Sequence, residues 1–226
     1  HLYSSAASDV YKRQEYIITN GGAPFPAGGY RLGVPAPSTP PTMAKSGTAS
    51  SETPEPRAYV YTLVTGLGEE GPPSGLATAS DGSTTLEATV DETVTLTFSS
   101  DSQSSSGYFF PATADSSHAG SSAAKRRIYR SNTGSQFTEF QFVDEIAFDA
   151  STYDDTKPST ALGEVLPTAT HIAPPDDNLT LNPGGPLQSL IAIGNGMLAG
   201  FSGKRFCISV PFLPHAWPVD FRITVE

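Results

Sequence analysis

Asn195-Gly196, set between two short apolar runs, constrains the fold of this chain more than any other pair of residues. Both positions tolerate positive φ, so the pair suits a two-residue type I′ turn, whose twist matches that of an antiparallel hairpin. Leu190 to Ile193 and Met197 to Phe201 are the two arms. Ser202-Gly203-Lys204 turns the chain again and Phe206 to Val210 follows, so residues 187–221 read as a tight three-strand meander with an aromatic tail. Pro211, Pro214 and Pro218 fix φ around Phe212, His215-Ala216-Trp217 and Phe221, which holds those aromatics on stiff, extended backbone as packing or interaction residues. Such a unit exposes an unpaired edge and needs a neighbour.

The same period-2 signal recurs upstream. Tyr59, Tyr61 and Leu63 alternate with their neighbours, as do Val94, Leu96 and Phe98, whereas no window carries a 3.6-residue apolar period. With 21 Gly, 20 Pro and only 16% charged residues, against about 25% in an average domain, the expectation is an all-β chain. Strands are expected at 58–65, 75–79, 93–98, 126–131, 137–146 and 151–155, a spacing that suits a sandwich. The organisation is then a strand plus Pro/Gly-rich linker over 15–57, a β-sandwich over 58–157, a linker over 158–186, and the meander over 187–226. Within the sandwich, 99–124 is a Ser-rich excursion, expected to be mobile, with only Tyr108, Phe109 and Phe110 to bury.

A net charge of −10 and a pI near 4.7 argue against a nucleic-acid-binding surface over the whole molecule. Lys125, Arg126, Arg127 and Arg130 are the local exception, read as cationic stems covering apolar surface with their heads in water. The single cysteine, Cys207, excludes an internal disulfide and a cysteine-based zinc cluster, and its mid-strand position suits a buried, inert thiol. Leu187 to Phe201, the longest apolar stretch, is broken by Gly194, Asn195, Gly196 and Gly200, well short of the roughly 20 apolar residues of a membrane-spanning helix.

No catalytic set is legible. His1, His118, His171 and His215 have no partner by spacing, and His215 beside Trp217 reads as a packed or rim histidine. Gly203-Lys204 departs from the phosphate-cradling loop at Leu198 and Arg205, and Gly200-Phe201-Ser202-Gly203 lacks the glycine spacing of a nucleophile elbow. Glu69-Glu70, Asp154-Asp155 and Asp176-Asp177 read as solvated turn acids without the spacing of a calcium loop. No enzyme, metal or cofactor is expected.

Two resemblances remain. Ser4 to Gln14, within His1–Gln14, resembles the translated sequencing adapter found at the ends of reading frames assembled from environmental DNA. The expectation is that the biological sequence starts near Glu15, within the strand Glu15–Thr19, and that the frame continues past Glu226. The second lies in Tyr59-Val60-Tyr61-Thr62-Leu63-Val64-Thr65 with Gly68-Glu69-Glu70-Gly71-Pro72-Pro73-Ser74, then Arg127-Ile128-Tyr129-Arg130-Ser131, Phe140 to Ile146 and Thr152 to Thr156. These resemble fibronectin type III-like modules of bacteriophage tail proteins. Asn195 to Gly203 with Pro214-His215-Ala216-Trp217-Pro218 resembles the next segment of the same tubular or nozzle-like proteins. The resemblance implies a sandwich followed by propeller-like sheets. It further implies a homo-oligomeric ring with other tail or connector proteins around a DNA channel, in a virion made in a bacterial cytoplasm. The alternative is a secreted or surface adhesion module that binds glycans or proteins, with Trp217, Phe212 and Phe221 as stacking aromatics.

Overall fold

The computed structural model describes residues 31–100, 107–114, 120–133, 138–176 and 178–225. The adapter-like segment, the expected strand Glu15–Thr19 and His118 lie outside the described residues. The described residues are all-β, with short 3-10 turns at Ser159–Ala161 and Val219–Phe221.

Two antiparallel sheets form the sandwich. One has the order β1 (Thr42–Ser46), β5 (Thr93–Thr97), β8 (Thr152–Asp155); the other has β3 (Tyr59–Val64), β6 (Lys125–Thr133), β7 (Thr138–Ala147). A two-stranded ribbon, β2 (Glu55–Arg57) with β4 (Leu86–Ala88), lies beside them. Met43, Val94 and Leu96 from the first sheet and Tyr59, Tyr61, Leu63, Ile128 and Val143 from the second share one buried core, as the inner faces of a sandwich do.

β1, upstream of residue 58, runs fully in register along β5, from Thr42 opposite Thr97 to Ser46 opposite Thr93. The proline-rich composition around β1 conceals this strand. The strand expected at 75–79 is replaced by an irregular edge. Gly71, Ser74 and Ala77 donate to the carbonyls of Leu63, Tyr61 and Tyr59, while Pro72 and Pro73 have no N–H to continue a ladder. Thr78 then crosses to pair with Thr42, so this segment closes one side of the sandwich. On the other side, Gly163 and Leu166 donate to Phe142 and Phe140 of β7, so the start of the expected linker covers that edge.

The Ser-rich excursion is tethered where it is described. Phe109 is buried, its carbonyl accepts from Gly66, and Phe110 stacks on Phe148 at 4.8 Å between centroids. Aromatic burial thus anchors a stretch whose composition alone reads as mobile.

The meander is a four-stranded antiparallel sheet, β9 (Gln188–Ile193), β10 (Met197–Ser202), β11 (Arg205–Ile208) and β12 (Arg222–Thr224), in the order β12-β11-β10-β9. Asn195 and Gly196 have φ of 59° and 64°, as the type I′ turn requires. Leu187, Leu190, Leu198, Cys207 and Trp217 form its core, with Leu32 packed against them.

Leu96→Ala should cost about 2–5 kcal/mol, because it opens a cavity between two sheets that cannot collapse. Urea unfolding should show a lower midpoint with an unchanged slope, and Thr95→Ala on the opposite face of β5 should move it far less.

Candidate functional site

The cations of β6 are the first group to locate: Lys125 and Arg127 remain 36% and 33% exposed, but the heads of Arg126 and Arg130 are not in water. Strand alternation directs Arg126 and Arg130 to one face, where they are 2% and 0% exposed. Arg126 lies over Tyr61, Phe98 and Phe148 and donates to the Ala150 carbonyl at 2.8 Å. Arg130 Nη1 donates to Asp155 Oδ2 at 2.6 Å, and Tyr59 OH donates to the same oxygen at 2.7 Å. Burial, then the Asp155 charge and hydrogen bond, push the Tyr59 phenol far above its usual range. Asp155 is thus a buried acceptor on β8 and not a solvated turn residue; Asp154 next to it is exposed and accepts from Thr95.

On the other face, Arg127 bridges two carboxylates: Nη1 to Glu70 Oε2 at 2.8 Å and Nε to Glu145 Oε2 at 2.9 Å. Glu70 also accepts from Thr62 at 2.6 Å and Tyr129 at 2.7 Å. Burial raises the Glu145 carboxyl, but hydrogen bonds from Lys125 and Arg127 outweigh it and hold its pKa below the usual value. Glu70 is buried, which corrects its reading as an exposed turn acid. The signal that could have located both acids is the density of cations on β6, since buried guanidinium groups need carboxylate partners.

Glu69, the neighbour of Glu70, faces the meander. His215 Nδ1 lies 3.9 Å from Glu69 Oε1, and the His215 ring is edge-on to His171 at 6.4 Å between centroids. Trp217 donates its main-chain N–H to Ile172 at 2.8 Å, which ties the two histidine-bearing segments together. Sequence spacing could not pair His171 with His215, because only the tertiary fold brings them together.

The four aromatic-segment residues divide in two. Trp217 is 0% exposed and donates Nε1–H to the Pro214 carbonyl at 2.9 Å, and His215 is also buried. Phe212 is 74% exposed, at a positive φ of 61°, and Phe221 is exposed beside β12. The buried indole offers no face for stacking on a sugar. Cys207 is fully buried, and burial raises its thiol pKa.

The meander sheet also has an apolar outer face. Register places Ile193 opposite Met197, Ile191 opposite Ala199, and Phe201 opposite Phe206, which is in turn opposite Ile223. Opposed residues share a face. Ile191, Phe201 and Ile223 on it are 51%, 41% and 59% exposed.

A cleft of about 250 Å³ lies beside Arg126, lined by Phe98, Ser99, Phe148, Asp149 and Ser151 among others. Among the described residues, no three His, Cys, Asp or Glu side chains converge to hold a metal ion, and no helix is long and apolar enough to cross a membrane. No protein-family model matches the chain, and no curated protein matches it significantly.

Arg130→Met should cost about 3–5 kcal/mol by leaving Asp155 buried without its cation, whereas Arg130→Met with Asp155→Leu should recover much of that loss. Chemical denaturation of the two variants measures both.

Proposed function

We propose that the chain is a non-enzymatic structural subunit of a tailed-phage particle. It would act through contacts with copies of itself and with neighbouring tail or connector proteins. The observation that carries this reading is the outer face of the meander sheet, where Ile191, Phe201 and Ile223 are exposed large apolar residues beside the half-buried Phe206. Each such side chain gains about 1.5–3 kcal/mol on full burial, so the face favours association.

The sequence resemblance supports the kind of assembly. A four-stranded antiparallel meander is the repeating unit of a propeller, and the phage tail proteins that the chain resembles follow a sandwich with propeller-like sheets. The net charge of −10 suits a DNA conduit, because like charge discourages DNA from adhering to the wall.

Sedimentation velocity across a range of concentrations tests the proposal. The protein should self-associate, and Phe201→Ser with Ile223→Ser should weaken association by about tenfold or more, which corresponds to about 1.4 kcal/mol. A monomer at every concentration, without affinity for tail or connector proteins, would contradict it.

A further inference from the structure

We infer that the joint between sandwich and meander is an acid-sensitive latch: His215, buried, and His171, half-buried beside it, pack against the Glu69-Glu70 turn and hold the meander in place, and protonating them releases it. The inference rests on the joint alone and does not depend on the assembly proposed above.

The geometry is that of a contact between two bodies. His215 belongs to the segment that carries Trp217 into the meander core, and Glu69-Glu70 follows β3 of the sandwich. The His215 side chain is 7% exposed, and His171 Nδ1 is buried without a hydrogen-bond partner. Two imidazoles 6.4 Å apart, the His215 one only 7% exposed, cannot both take a proton without mutual repulsion.

The surroundings offset a proton only in part: the Glu70 charge favours it on His171 and a hydrogen bond to the Glu70 backbone favours it on His215, yet burial outweighs both. Glu70, the nearer acid to His171, is already engaged by Arg127, Tyr129 and Thr62. Glu69 lies 3.9 Å from His215 Nδ1, beyond a hydrogen bond, and burial raises its own carboxyl pKa despite its bond from Thr65. Arg222, on the side of Trp217, donates to the Trp217 carbonyl at 3.4 Å and adds positive charge.

Burial first, then the neighbouring imidazole, lowers His215 from 6.5 to about 4, and burial lowers His171 in the same direction. A histidine whose pKa is depressed in the docked state binds its proton more readily when undocked. Docking is therefore most stable above pH 6.5 and weakens as pH falls from 6.5 towards about 4. Glu69 acts in the opposite sense. Its raised pKa means that the docked state keeps a proton that the open state has released, which favours docking in acid. The large His215 shift sets the expected direction, opening in acid.

Trp217 is the only tryptophan and is fully buried in the meander core two residues from His215, so its fluorescence reports loosening of the segment that carries His215. Titration from neutral pH should shift its emission to the red and raise its quenching by acrylamide, with a midpoint between 6.5 and about 4. Far-ultraviolet circular dichroism of the sandwich should stay unchanged. His215→Gln, which cannot take up a proton, should shift that midpoint down by about one pH unit or more. Glu69→Gln should shift it up. Flat wild-type emission through the window, a His215→Gln midpoint equal to wild type, or loss of the sandwich signal at the same midpoint would each overturn the inference.

Discussion

Asp155 is the acceptor through which the two layers of the sandwich are joined. It sits fully buried on β8 of one sheet and receives Tyr59 from β3 and Arg130 from β6 of the other. Its second oxygen accepts the Lys157 N–H at 2.9 Å, so the carboxylate is satisfied on both sides. A buried charge pair contributes little net stability compared with apolar packing, but it penalises any register that separates the partners. That penalty fixes β8 against β3 and β6. The same fixed β3 carries the Glu69-Glu70 turn, where Glu70 is anchored to Arg127 and Tyr129 of β6 and Glu69 meets His215. Asp155 and the Glu69-Glu70 turn are thus linked through the shared strands β3 and β6.

The all-β architecture was legible because Val94 and Leu96 point inward while Thr93, Thr95 and Thr97 point out or sit half-buried, the one-faced pattern that alternation reads best. The turn at Asn195-Gly196 was legible because its chemistry is local. β3 was harder. All six of its residues are buried, since Thr62 and Val64 lie under the Glu70 and Arg127 layer while Tyr61 and Leu63 enter the core, so only its apolar content and not its faces could be read. β1, β2 and β4 were missed because they are short and their pairing partners are distant in sequence, as with Thr42 and Thr97. The ionic layer was missed because spacing does not show which acid meets which cation, as with Asp155 and Arg130, although the run of cations on β6 called for acid partners.

The meander uses its two faces differently. The inner face is closed by Trp217, Leu187 and Leu32, with Cys207 as a small buried filler, and this closure fixes the sheet to the segments that lead from the sandwich. The outer face has the residue types of a core and the exposure of a surface, which is the pattern of a sheet awaiting another layer. Phe212 extends the apolar surface at the tip of the β9–β10 hairpin, where its N–H donates to the Asn195 carbonyl at 3.0 Å.

The most direct measurement is carbene footprinting of the protein when dilute and when assembled, read residue by residue by mass spectrometry. If the outer sheet face is the assembly contact, labelling of Ile191, Phe201 and Ile223 should fall on assembly while exposed sandwich residues such as Leu67 and Val90 keep theirs. Undiminished labelling of the sheet face in the assembled state, with protection elsewhere, would contradict the account.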